Sequence, residues 1–139
     1  MPNKLRNFLA VLAGMITGAF VNSGILELWQ LYIPPPAGFS SNGISEMAST
    51  MYLLSFKDFI GPLLAHAMGT FIGAVLAARI GRGHPLRMTL PIAFLFFCAG
   101  AYMVYQLPAP MWFNITDLTL AYFPMAILAS KLMRPKKNF

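Results

Sequence analysis

The chain has 139 residues, of which 58% are hydrophobic and only 10% are charged, and its mean hydropathy is +0.64. Ordinary soluble domains are about 45–50% apolar and about 25% charged, so this composition excludes that class. The net charge is +6, but the basic residues do not form a patch interleaved with aromatic residues, so nucleic-acid binding is not expected.

Four apolar stretches are long enough to cross a bilayer as helices. A hydrocarbon core of about 30 Å needs about 20 apolar residues in helical form, and the stretches cover roughly residues 8–28, 59–80, 88–107 and 111–132. They do not alternate between polar and apolar residues, as the strands of a membrane β-barrel do. The sequence therefore predicts an all-α integral membrane protein, a single domain over residues 1–139 that forms a bundle of four transmembrane helices.

The first stretch follows two basic residues, Lys4 and Arg6, as the apolar region of a secretory signal peptide does. It has no clear small-x-small cleavage site, and it continues for about twenty residues. We therefore interpret it as a retained first helix.

The basic residues fall almost entirely at one end of the four stretches. They precede the first, separate the second from the third and follow the fourth, and of the ten only Lys57 lies elsewhere. By the positive-inside rule, both termini and the loop between the second and third helices face the cytoplasm. The lipid bilayer is then the expected partner, with Lys136 and Lys137 as generic contacts to anionic lipid.

The longest connection, residues 33–58, is predicted to lie outside the cell. It begins with three prolines, which cannot continue a helix, but apolar residues recur at helical spacing over residues 44–56. This pattern predicts a short amphipathic helix, which either lies on the outer interface, the favoured arrangement, or folds over the mouth of the bundle as a lid. Asp58 is expected to be the N-cap of the second helix, with Pro62 in its first turn.

Aromatic residues cluster at the predicted outer ends of the first and fourth helices. They are Trp29, Tyr32, Trp112 and Phe113. Tryptophan and tyrosine are enriched at membrane–water interfaces, so an aromatic belt is favoured over a role in stacking against a ligand.

Small residues indicate how the helices pack. Gly14 and Gly18 form a GxxxG pair in the first helix, and Gly69 and Gly73 form another in the second. Close backbone approach drives helix association in lipid, where apolar burial alone does not. The two pairs predict a tight contact between the first and second helices, or a homodimer.

Polar side chains interrupt the apolar helices at similar predicted depth. His66 shares a helical face with Gly69 and Gly73, so it should point towards protein. At 1.5 Å per residue, His66 lies about 12 Å inward from Asp58. Asp117, on the fourth helix, lies about 8 Å inward from Trp112. The candidate polar site consists of His66, Asp117, Asn114, Asn22 and Glu27.

Two interpretations of this site remain. Ionisable groups inside a membrane are expensive unless paired or hydrated, which favours a functional site for protons or a ligand. The alternative is an inert Asp–His tie between two helices, since such polar contacts are worth about 0.6 kcal/mol on average. In either case Pro124 should kink the fourth helix below Asp117, because it leaves the carbonyl of Leu120 without its amide partner.

No cofactor or metal is expected. A single intramembrane histidine is too few for the three or four ligands of common metal sites. Cys98 stands alone in the third helix and is predicted to be a small buried hydrophobic residue. Neither a phosphate-binding loop nor a hydrolase or metalloprotease motif occurs.

Several short motifs resemble those of a family of small bacterial four-helix inner-membrane proteins. They are Gly14-Met15, Pro34-Pro35-Pro36-x-Gly38, Glu46, Ala65-His66-x-x-Gly69-x-x-x-Gly73, Ala77-Ala78-Arg79-Ile80 and Leu107-Pro108-x-Pro110-x-Trp112-Phe113. The resemblance covers most of the chain and implies the four-helix fold. The family is functionally uncharacterised, so it implies no activity. Family members often have histidine between the two prolines where this chain has Ala109.

Three classes of function are consistent with the sequence. The chain is either a small transporter or binding protein with an outward-facing polar site for a solute or proton, or an accessory subunit of a larger membrane complex. The third and least favoured class is an intramembrane enzyme in which Asp117 orients His66 as a general base. A transport path through so small a bundle would require a dimer.

Overall fold

The structure, a computed structural model, describes residues 1–134, and the regular secondary structure of that part of the chain is entirely helical. The elements in chain order are α1 (Asn3–Tyr32), α2 (Ile44–Thr50) followed by a 3-10 turn (Met51–Leu53), α3 (Phe56–Ile80), α4 (Pro85–Gln106), α5 (Met111–Leu120) and α6 (Phe123–Leu132). Four helical stretches are long and apolar enough to cross a membrane, namely α1, α3, α4 and α5–α6 together. The predicted all-α class with four such helices is confirmed. Lys136 and Lys137 lie outside the described residues.

Helix α3 lies at the centre of the bundle. It packs against α1 on one side and against α4 and α6 on the other, while α1 meets α4 over a smaller surface. Small side chains dominate the core around it, including Ala74, Ala77 and Ala126, with Met88 and Ile92 as larger members. The small side chains let the helices approach closely.

Four glycines set the separation of α1 and α3. Gly14 faces the carbonyl of Gly73, and Gly18 faces that of Gly69. A Cβ added to any of the four would lie 2.5–2.7 Å from a backbone oxygen of the other helix. Both GxxxG pairs therefore lie on the α1–α3 contact within one chain.

The bundle has two chemically different ends. At the basic end, Asn7 and Arg82 exchange two hydrogen bonds of 3.0 and 2.7 Å, which attach the start of α1 to the connection over residues 81–84. The opposite end, the loop end, holds residues 33–55 and 107–110.

Helix α3 begins earlier than its sequence predicts. Its N-cap is Ser55, whose backbone N–H and hydroxyl both donate to Oδ2 of Asp58 at 2.7 Å. The prediction that Asp58 is the N-cap was wrong, because its carboxylate closes a capping box from the third helical position. Pro62 consequently lies inside the helix and not in its first turn.

The fourth apolar helix is interrupted where a kink was predicted. Helix α5 ends at Leu120, α6 begins at Phe123, and the backbone of Tyr122 between them is non-helical, with φ −116° and ψ −80°. Pro124 lies in the first turn of α6, where its missing N–H is tolerated. The interruption turns Tyr122 into the bundle, where it is only 2% exposed.

The predicted amphipathic segment is helical and packs onto the loop end. Met51 is buried in a cluster with Phe59 and Phe113, and Met47 and Leu54 pack against the same cluster. The segment thus has the lid arrangement and not the interfacial one that was favoured, because its apolar side chains find protein partners on α3 and α5.

Cys98 is exposed, so the prediction that it is buried was wrong. The buried face of α4 includes Ile92, Ala93 and Gly100. Cys98 is two residues before Gly100, which places it about 200° around the helix from that glycine.

Candidate functional site

A cavity of about 250 Å³ lies at the loop end, beneath the α2 segment. Its wall is mainly apolar and is contributed by Trp29 of α1, Met51, Phe59 of α3, Met103 of α4 and Phe113 of α5. The cavity is therefore enclosed by all the helices that meet at this end, and we refer to it as the loop-end cavity.

Three polar side chains form a connected group at the loop-end cavity. Nδ1 of His66 lies 2.7 Å from Oδ1 of Asp117, and the hydroxyl of Tyr122 donates to Oδ2 of Asp117 at 2.8 Å. The same hydroxyl lies 3.3 Å from Nδ1 of His66. His66 and Asp117 both line the cavity, whereas Tyr122 lies behind them.

His66 and Asp117 differ in their access to the cavity. The Asp117 side chain is 2% exposed, while that of His66 is 29% exposed. The carboxylate is thus almost fully buried, and a molecule in the cavity has more of the imidazole than of the carboxylate to contact.

This geometry determines which imidazole nitrogen is available. When Asp117 is ionised it only accepts hydrogen bonds, and Nδ1–H of His66 then donates to Oδ1 while the Tyr122 hydroxyl donates to Oδ2. A carboxylate that binds Nδ1–H fixes the tautomer and orientation of the ring and leaves Nε2 as the basic nitrogen. Within residues 1–134, Nε2 of His66 has no hydrogen-bond partner, so it can accept or release a proton.

A second cavity, of about 240 Å³, lies on the other side of His66. Asn22 of α1 and Thr70 of α3 contribute to its wall, and His66, Gly100 and Met103 line both cavities. The imidazole therefore lies between two spaces, one nearer the loop end and one deeper in the bundle.

Four of the five predicted site residues line at least one of the two cavities, and one does not. His66 and Asp117 are in direct contact, Asn114 lines the loop-end cavity and Asn22 lines the second cavity. Glu27 lines neither cavity and is exposed, so it does not lie with the other four residues of the candidate polar site. It is five residues from Asn22, which places it about 140° around α1.

Two buried polar atoms at the loop-end cavity lack a partner. Nδ2 of Asn114 donates to the carbonyl of Ala109 at 3.3 Å, which fixes the orientation of the amide. Oδ1 of Asn114 and Nε1 of Trp29 are both buried without a hydrogen bond to any described residue. Unpaired buried polar atoms are rare in folded proteins and each requires an explanation, such as a bound molecule.

The sequence did not indicate a role for Tyr122, and it assigned Trp29 to the aromatic belt. Tyr32 is 81% exposed at the end of α1, as a belt residue would be. Trp29 instead packs against Gly61 and lines the cavity with Phe113. The position of Tyr122 between Asp117 and Pro124 could have indicated a role, because a proline disturbs the helical turn that precedes it.

Within residues 1–134, no group of three His, Cys, Asp or Glu side chains is arranged to hold a metal ion. Comparison of the chain with known protein families, curated proteins and solved structures finds no match. Function is therefore inferred from the geometry of the cavities and the side chains around them.

Proposed function

We propose that the chain is a multi-pass protein of the bacterial inner membrane, with both termini in the cytoplasm and the loop end facing outwards. The four long apolar helices support insertion in a bilayer. The orientation is supported by the positive charges at the basic end. Lys4 and Arg6 lie at the start of α1, Arg82 lies in the connection between α3 and α4, and Arg87 lies at the start of α4.

In this membrane the protein acts as a small transporter or binding protein that takes up a solute or a proton from the outer side. The observation that carries this proposal is the 2.7 Å contact between a buried Asp117 and a partly accessible His66 on the wall of a cavity. A buried carboxylate that orients an accessible imidazole is suited to exchange protons with whatever occupies the cavity.

The same observation argues against an inert tie between helices. A tie would be most stable with both partners sealed in the core, away from water. Here His66 is 29% exposed and lines two cavities. An ionisable group so placed reduces stability relative to an apolar one, so its presence favours a functional role.

An intramembrane enzyme is the second candidate, because a carboxylate on Nδ1 with a free Nε2 is also the geometry of a general base and its orienting group. For the accessory-subunit alternative, the relevant surface is the exposed face of α1, which carries Phe8, Leu12, Ile16 and Phe20. A helix that faces lipid has the same character, so no observation favours that role over a bilayer contact.

Proton flux in proteoliposomes tests the proposal. Purified protein is reconstituted in vesicles that contain a pH-sensitive dye, and a potassium diffusion potential drives protons inward. We expect flux above that of empty vesicles, and we expect it to be abolished by His66→Ala and by Asp117→Asn. His84→Ala is the matched control, because His84 lies at the start of α4 at the basic end.

Native mass spectrometry of the protein extracted in mild detergent gives a second readout, since a bound solute should be retained by the wild type and lost from Asp117→Asn. If the wild type shows neither proton flux nor a retained solute, or if both persist in His66→Ala and Asp117→Asn, the proposed function is wrong.

A further inference from the structure

We infer that the ligand of the loop-end cavity is a small organic cation, with an apolar body and a protonated nitrogen that donates a hydrogen bond to Asn114. This inference rests on the proposed function, in which the cavity binds a solute. It is carried by the size of the cavity, the charges on its wall and its unpaired polar atoms.

The size of the cavity limits the ligand. A water molecule occupies about 30 Å³ of liquid, so 250 Å³ corresponds to about eight non-hydrogen atoms. This is below the range of about 300–1,000 Å³ that is typical of drug-sized ligands. A single ring with a short side chain has this size.

The charges on the wall favour a cation over an anion. Asp58 and Asp117 both line the loop-end cavity, and among the described residues no lysine or arginine does. His66 is the one basic side chain on the wall, and it is hydrogen-bonded to Asp117. An anion would therefore lie near two carboxylates and would meet no lysine or arginine.

The aromatic walls favour a cation with an apolar body. Trp29, Phe39, Phe59 and Phe113 all line the cavity. Aromatic faces attract cations through their quadrupole, and the attraction is strongest where water is excluded. The same rings provide apolar contact for the body of the ligand.

The two unpaired atoms indicate where the polar groups of the ligand would bind. Oδ1 of Asn114 is an acceptor that lacks a donor, and an ammonium N–H supplies one. Because Nδ2 is already bound to the carbonyl of Ala109, the amide presents its oxygen and not its nitrogen. The indole N–H of Trp29 is the complementary unpaired donor, and an oxygen on the ligand body would accept from it.

Three probes of nearly equal size test the charge preference: benzylammonium, the neutral benzyl alcohol and the anion benzoate. Trp112→Phe leaves Trp29 as the reporter, since the chain has two tryptophans and Trp112 does not line the cavity. Titration of Trp29 fluorescence in detergent should give saturable binding of benzylammonium that is about tenfold tighter than that of benzyl alcohol. Benzoate should bind more weakly than benzyl alcohol.

Asn114→Leu tests the acceptor. In the Trp112→Phe background it should weaken benzylammonium binding about tenfold, because a hydrogen bond to a charged group is lost. The matched control is Asn7→Leu, at the basic end, which lines neither cavity and should leave the affinity unchanged.

The outcomes separate this inference from the proposed function. If benzyl alcohol or benzoate binds as tightly as benzylammonium, the cavity still binds a solute but the preference for a cation is refuted. If none of the probes changes the fluorescence of Trp29, the cation is also refuted, and proton flux decides the proposed function on its own. Equal losses in Asn114→Leu and Asn7→Leu would refute Asn114 as the acceptor.

Discussion

The contact between α1 and α3 should tolerate no side chain at Gly14. A Cβ there would lie 2.5 Å from the carbonyl oxygen of Gly73 and 2.9 Å from Cβ of Ala77, where ordinary contact begins at 3.4 Å. Because the obstacle is backbone, α1 would have to move away by about 0.9 Å, the difference between 3.4 and 2.5 Å. Gly24, on the same helix, has no atom within 4 Å of a Cβ and is the matched control.

The expected magnitudes follow from two opposing terms. Overpacking of this kind costs about 1–3 kcal/mol, and replacing glycine by alanine inside a helix stabilises by about 0.5–1 kcal/mol. We therefore expect Gly14→Ala to lower the free energy of unfolding by up to about 2.5 kcal/mol and Gly24→Ala to raise it by about 0.5–1 kcal/mol.

Equilibrium unfolding in mixed micelles, followed by circular dichroism, measures both variants. The propensity term is the same for the two, so their difference isolates the contact with α3. If Gly14→Ala were as stable as Gly24→Ala, the close packing of α1 on α3 would not exist as described.

Three further predictions concern topology, the lid and Tyr122. In a cysteine-free background, an impermeant thiol reagent applied to intact cells should label Ser41→Cys and should not label Arg82→Cys; the reverse pattern would refute the proposed orientation. Amide hydrogen exchange should be faster over residues 44–53 than over residues 65–78, because the lid has a single buried residue, and equal rates would show that it is a fixed part of the bundle. Tyr122→Phe should lower the free energy of unfolding by about 1–3 kcal/mol, because a buried carboxylate oxygen loses its donor, and an unchanged value would show that this bond contributes nothing.

The sequence predicted the helices and the contact of His66 with Asp117 because both depend on simple geometry. Apolar stretches of membrane-spanning length require helices, and a fixed rise per residue places His66 and Asp117 at similar depth. The stripe shared with Gly69 turned His66 towards protein, and the structure places its ring against Asp117.

What the sequence could not predict depends on contacts between distant segments. The lid lies on the bundle because Met51 meets Phe59 and Phe113, partners that periodicity within residues 44–56 does not reveal. Tryptophan is a residue type that is typical of the aromatic belt, so the sequence alone assigned Trp29 to it. Only the packing of Trp29 on Gly61 brings it to the cavity. Glu27 was expected one turn further out than Asn22, near the interface, and the structure leaves it exposed on α1.

The proposed function requires that Asp117 hold His66 with Nδ1 protonated and Nε2 free of hydrogen bonds. Nitrogen-15 NMR of the histidine side chains measures this, since the two ring nitrogens have different shifts when one is protonated, and His84→Ala assigns the His66 signals. At a pH where the imidazole is neutral, we expect a protonated Nδ1 and an unprotonated Nε2 in the wild type, with this preference lost in Asp117→Asn. A wild-type imidazole protonated at Nε2, with Nδ1 accepting from Tyr122, would show that Asp117 does not orient His66 in this way.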